Sequence, residues 1–289
     1  MDDRQPTGSG AARAGCHRAA YAAIIVNVEV DGTSDARVRL AANLATRFGA
    51  ILIGFAAEAP VVPAVYDAGV AFAAELQVQE EERVTAALAA AERRFRSPLP
   101  PDSAGWTEWC SFAEPPAQAL AREARCADLL VVGAGGGTDA GDVLLRAGRP
   151  VLVVPANVAL LKARKVIVAW RDVPQARRAV ADALPLLQQA ESVLVLEVLD
   201  HDGDASRDVR VGTQAVVRLL ARHGVIARAD ARPLREPTVA DELIRVAEDH
   251  DADLIVSGGY GHARLREWAF GGVTRDLLTR CPVCCLLSH

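Results

Sequence analysis

The chain is 289 residues long, 51% of them hydrophobic, with 32 Lys and Arg against 37 Asp and Glu and a formal net charge of −5. That apolar content is enough to build real cores and excludes general disorder, and the length suits two ordinary domains. The charges are scattered, with no basic stripe and no long run of one sign, which excludes a nucleic-acid surface.

In chain order, residues 1–19, MDDRQPTGSGAARAGCHRA, are small and polar and are expected to form a disordered tail. The apolar stretch after it, residues 19–30, carries Asn27 and Glu29 and lacks the cleavage site of a signal peptide. No window offers about 18 uninterrupted apolar residues, the length a membrane helix needs. A soluble, cytoplasmic protein without membrane contact is expected.

Residues 24–30, IIVNVEV, read as a strand, and 34–48 as a helix with Val38, Ala41, Leu44 and Ala45 on one face. A strand at 50–55, a long helix at 75–95, a strand at 106–110, a helix at 115–125 and strands at 128–132 and 150–154 follow. A linker at 158–164 then leads to the same order again. Strands are expected at 165–170, 192–198 and 226–231, and helices at 175–189, 208–223 and 238–250. The strands DLIVS and CPVCCLL complete this second set.

The repetition is also one of residues. ADLLVVGAGG at 127–136 matches ADLIVSGGYG at 252–261 with an offset of 125. RPVLVV matches CPVCCL with an offset of 132, so the second copy carries seven extra residues between glycine loop and last strand. Two such copies are two domains, 20–157 and 165–289, rather than a solenoid. Each is expected to be a doubly wound α/β domain with a five-stranded parallel sheet, with ligands at the carboxyl ends of its strands. Three places meet there: the loop after the first strand, the end of the second strand and the glycine loop after the fourth.

Six cysteines in a chain without an export signal are expected to be reduced. Cys281-Pro-Val-Cys284 has redox spacing, but it sits in an apolar strand rather than at a helix start, so these cysteines are expected to be buried.

The second glycine loop, Gly258-x-x-Gly261, nine residues, Gly271-Gly272, resembles the nucleotide loop of the universal stress protein family, in which a glycine followed by Ser or Thr closes the span. The flanks ADLIVSGGYG, VTRDLLTRCPV and VIVAWRD agree, and both halves share the pattern, as in a tandem member of that family. The resemblance implies a role in stress response and a bound adenine nucleotide, ATP with Mg or a related nucleotide. It implies a site in the second copy at Ala169, Trp170, Arg171, Asp172, Val198, Gly258, Gly261, Gly271, Gly272, Val273 and Thr274. It also allows pairing with a second copy or a signalling protein.

The chemistry of such a loop is general. Glycines let the backbone approach an oxygen closely, successive N–H groups make an anion-binding concavity, and the helix start after Gly272 adds its dipole. Thr274 offers a hydroxyl, and Arg264 and Arg266 lie within reach of a polyphosphate, whereas His262 reads as a surface residue. Two positions depart from the family: Gly272 replaces the hydroxyl residue, and Arg171 takes the slot of the usual aspartate, with Asp172 one residue late. The first copy keeps Glu29, Gly133 and Gly136, lacks the nine-residue span, and adds Asp139 and Asp142, which repel phosphate. It is expected to be degenerate and empty. SGGYG has only a superficial likeness to the loop of ATP pyrophosphatases, since it follows the fourth strand and lacks the aspartate and serine. No nucleophile with a base is recognisable, and no enzyme is expected. The competing expectation is a protein–protein adaptor that needs no nucleotide.

Overall fold

The computed structural model describes residues 20–30, 32, 34–61, 70–199, 207–260 and 272–289. The tail 1–19 and the span 261–271 lie outside it, and with them Gly261, His262, Arg264, Arg266 and Gly271. The first half runs β1 (Ala23–Asn27), α1 (Asp35–Phe48), β2 (Ile51–Ala57), α2 (Val70–Arg96), β3 (Thr107–Phe112), α3 (Pro116–Glu123), β4 (Leu129–Gly133), α4 (Ala140–Ala147) and β5 (Val151–Val154). The second runs β6 (Lys165–Ala169), α5 (Pro174–Asp182), α6 (Leu184–Leu187), β7 (Ser192–Leu199), α7 (Arg207–Arg222), β8 (Ala227–Pro233), α8 (Val239–Asp249), β9 (Leu254–Gly258), α9 (Gly272–Thr279) and β10 (Cys284–Ser288).

The two five-stranded sheets do not stand apart. They form one ten-stranded sheet of order β3-β2-β1-β4-β5-β10-β9-β6-β7-β8. Every neighbouring pair is parallel except the central one, where β5 and β10 run antiparallel with Cys285 opposite Val153. Each half has the same internal order and reverses direction between its first and fourth strands, the switch point at which α/β sheets hold ligands.

The strands are apolar on both faces because helices cover both. Alternate residues of β1 show it: Ile24 and Val26 belong to the core layer that includes residues of α1, α2, α5 and α7, whereas Ile25 belongs to the one that includes those of α3, α4, α8 and α9. Both cores run through both halves. The edges, β3 and β8, carry charges instead, among them an Arg232–Asp230 ion pair on β8, which blunts an open edge.

Some boundaries differ from expectation. The helix expected at 175–189 breaks after Asp182 into α5 and α6, because Pro185 has no N–H to continue the ladder. The first strand ends at Asn27, so Glu29 stands in the loop beyond it. Cys281 precedes β10, which begins at Cys284, and Cys281, Cys284 and Cys285 are all buried. The aspartate of the repeated Ala-Asp-Leu fastens each half in the same way. Asp128 accepts from the amides of Ala22 and Ala23, and Asp253 from those of Lys162 and Ala163. No helix among the described residues is long and apolar enough to cross a membrane.

Candidate functional site

At the switch point of the second half, Ala169 lies between Leu196 of β7 and Ser257 of β9. Trp170 follows, its amide donating to the Leu196 carbonyl at 2.8 Å. Its ring is part of the core, and its indole N–H is buried with no partner among the described residues. The chain then turns outward: Asp172 is exposed and pairs with Arg177 of α5 at 2.6 Å. The one-residue delay of the acid thus leaves it on the surface in an ion pair with α5. α5 starts at Pro174, where a missing N–H does no harm, and the side-chain oxygen of Gln175 in its first turn is buried without a described partner. An unpaired buried donor or acceptor costs about 1–3 kcal/mol unless a ligand or water completes it.

Two residues here were not legible as site residues. Gln175 has no sequence signal. Glu197 does, as the one charge in the apolar strand SVLVLEVL. Burial pushes its carboxyl above the usual range, Arg171 draws it down and Asp172 pushes it up, which sets these three charged groups in one neighbourhood. Val198, next on β7, is partly buried against the core on the α8–α9 face, as is Val273.

The glycines of the loop divide by role. A Cβ on Gly258 would fall 2.6 Å from the amide nitrogen of Ala176, so this glycine lets the first turn of α5 sit on the end of β9. A Cβ on Gly259 would fall 2.5 Å from Leu144, which belongs to α4 of the first half, and the Gly259 amide donates to the Ser288 carbonyl at 2.8 Å. Tyr260 then takes φ 54°, a left-handed backbone that costs a side-chain-bearing residue about 1–2 kcal/mol. Its amide donates to the Thr274 hydroxyl at 3.3 Å, which ties β9's exit to the first turn of α9. Accepting that bond leaves the hydroxyl its own proton to donate. At Gly272, the first residue of α9, a Cβ would meet nothing within 4 Å among the described residues.

The equivalent place in the first half is closed by the chain itself. Asp139 caps α4, its carboxylate accepting from the amides of Gly141 at 2.8 Å and Asp142 at 3.2 Å. These are the N–H groups that a phosphate would use. Arg37 of α1, only 7% exposed, lies over Gly133, where a Cβ would come within 2.0 Å of its Nη1. Glu29 lies 3.8 Å from that same nitrogen and against Gly136. Asn27 donates to Glu29 at 2.9 Å and to Thr138 at 3.0 Å, and Ser34 accepts from Arg37 at 2.9 Å. The acid retained in this half is thus one member of a buried polar network.

Residues 162–289 match the sequence model of the Universal stress protein family. Among solved structures, a universal stress protein from Archaeoglobus fulgidus DSM 4304 is similar with a TM-score of 0.64 and 14% identity, over 92% of this chain and 95% of that one. A functionally unknown protein from Pseudomonas aeruginosa PAO1 is similar with a TM-score of 0.53 and 15% identity, over 92% of both chains. At these identities the likeness is one of fold, and it extends through both halves. No curated protein matches the chain in sequence.

Proposed function

We propose that this chain, a member of the universal stress protein family through residues 162–289, acts in stress response as a cytoplasmic, non-enzymatic sensor of an adenine nucleotide, ATP in the first instance. The nucleotide is held in the second half. The observation that carries this is the asymmetry between the halves. In the first, Asp139, Arg37 and Glu29 take up the helix start and the glycine approach. In the second, no described residue stands where a Cβ on Gly272 would lie, Asp172 is paired with Arg177, and a buried donor on Trp170 and acceptor on Gln175 have no described partner.

The residues present fit a nucleotide. The first-turn amides of α9 and the Thr274 hydroxyl would hold phosphate, the helix dipole adding to the attraction. Glu197 supplies the acid that the Arg171 slot lacks and would accept from a ribose hydroxyl. Mg would accompany ATP and offset its charge. Binding then favours one arrangement of the loop and of the surface around it, and a signalling protein or a second copy reads that surface.

The test is a calorimetric titration of the nucleotide-free protein with Mg-ATP. One site per chain is expected, abolished by Gly261→Val. Two sites per chain, or one that survives Gly261→Val, would contradict the assignment to the second half. The rival reading is a protein–protein adaptor without nucleotide. It draws on Gly258 and Gly259, both of which have packing reasons to be glycine. Absence of binding heat and of thermal stabilisation by Mg-ATP would favour it.

A further inference from the structure

The first half has a second relation to the candidate site, distinct from its own closed one. α4, which starts at the capping Asp139, packs against the place where the chain leaves β9. Leu144 lies over Gly259, so close that a Cβ there would be 2.5 Å from its Cδ2. One turn earlier on the helix, a Cβ on Gly141 would be 2.5 Å from the Tyr260 hydroxyl and 3.6 Å from Leu278 of α9. Three elements therefore gather at Gly141: the start of α4, the exit of β9 and the body of α9. The exit is held from the other side as well, where the His289 ring meets the Tyr260 ring edge-on at 6.4 Å between centroids and its Nδ1 lies 3.2 Å from the Gly259 carbonyl.

We propose that α4 of the first half is the positioning wall for the second half's site: Gly141 and Leu144 hold Gly259 and the left-handed Tyr260, and so the bond from Tyr260 to Thr274 that sets the first turn of α9. A half whose own cradle is closed thereby contributes to ligand binding in the other. Its residues touch no ligand; they act through Tyr260. The same phenol senses the capping Asp139, since burial and this charge together push it up to about 12.

Geometry indicates which group yields when the wall is altered. An added Cβ at Gly141 would meet the tip of Tyr260 at 2.5 Å and, less tightly, the capping Asp139 Oδ1 at 3.1 Å, so the tyrosine has the most to yield. Gly141 is the second residue of α4, and alanine has the better helix propensity. A loss on Gly141→Ala that Tyr260→Phe reverses would therefore come from the tyrosine contact rather than from the cap.

The ligand part of this rests on the proposed nucleotide function, so the experiment has two readouts on the full chain. Hydrogen exchange of peptides covering 258–260 is followed without nucleotide, and Mg-ATP affinity is measured by titration. Gly141→Ala is expected to speed exchange there and to weaken binding about fivefold, a modest coupling between sites. Tyr260→Phe in the same background removes the opposing oxygen and should bring both readouts back to within about twofold of the Tyr260→Phe single variant, as a coupled pair requires. Leu145→Ala, on the same helix at a more exposed position, should change neither. Unchanged exchange at 258–260 in Gly141→Ala, or failure of Tyr260→Phe to rescue it, would overturn the proposal. If the unaltered protein takes no Mg-ATP, the sensor function fails, and the exchange cycle still decides whether α4 positions the exit of β9.

Discussion

Arg37 shows what a single side chain can decide. It lies on α1, where an arginine ordinarily faces water, yet it is buried with Glu29, Asn27, Thr138 and Ser34. Burial lowers its affinity for its proton and Glu29 partly offsets that. Removing one member of a buried charged pair leaves the other uncompensated, at a cost of about 3–5 kcal/mol. Arg37→Ala should lose about that much in urea denaturation, and Glu29→Gln added to it should recover part of the loss. A loss below about 1 kcal/mol, typical of a solvated pair, would show that water reaches this network. The sequence marked Glu29 as a retained acid and Asp139 as hostile to phosphate. It had no means of marking Arg37, because residues 37 and 133 meet only once β1 and β4 are paired.

At the scale of elements, the alternation of apolar runs and helical periods was enough to place the strands and most helices to within a few residues. Local chemistry accounts for the differences: Pro185 divides one helix into α5 and α6. The contact between α5 and β9 was not legible, and it explains Gly258 better than phosphate does. β7 carries a further consequence in Glu197, whose carboxyl is raised by burial. Such a group binds its proton more tightly in the folded state, so its ionisation opposes folding. The penalty is absent below the ordinary value of 4.5 and grows as pH rises through the raised folded value. Glu197→Gln is therefore expected to raise the thermal midpoint at pH 7 and to leave it unaltered near pH 3.5, about a unit below that ordinary value. A gain of equal size at both pH values would trace the effect to packing instead.

At the scale of the molecule, the antiparallel seam of β5 and β10 joins two parallel sheets into one, and both cores continue across it. Units that share a sheet and a core are expected to unfold together. Scanning calorimetry should show one transition with equal calorimetric and van't Hoff enthalpies. Val153→Asp, which buries a charge opposite Cys285 in the seam, should lower its midpoint or divide it in two. Two transitions in the unaltered protein would mean that the halves are separate cooperative units.

What the sequence by itself determined is the duplication, the α/β class, the strand sequence within each half and the loop that resembles a nucleotide cradle. All of these are written in local periodicity and in residues close along the chain. Only the tertiary structure decided that the halves share one sheet, that the first cradle is closed by Arg37 and Glu29, and that Gly258 and Gly259 lie against α5 and α4. Those facts concern residues up to about a hundred positions apart or more, such as Leu144 and Gly259. Whether a glycine meets a phosphate or a neighbouring helix depends on which backbone is brought within a few ångströms of it, and that is settled by packing rather than by pattern.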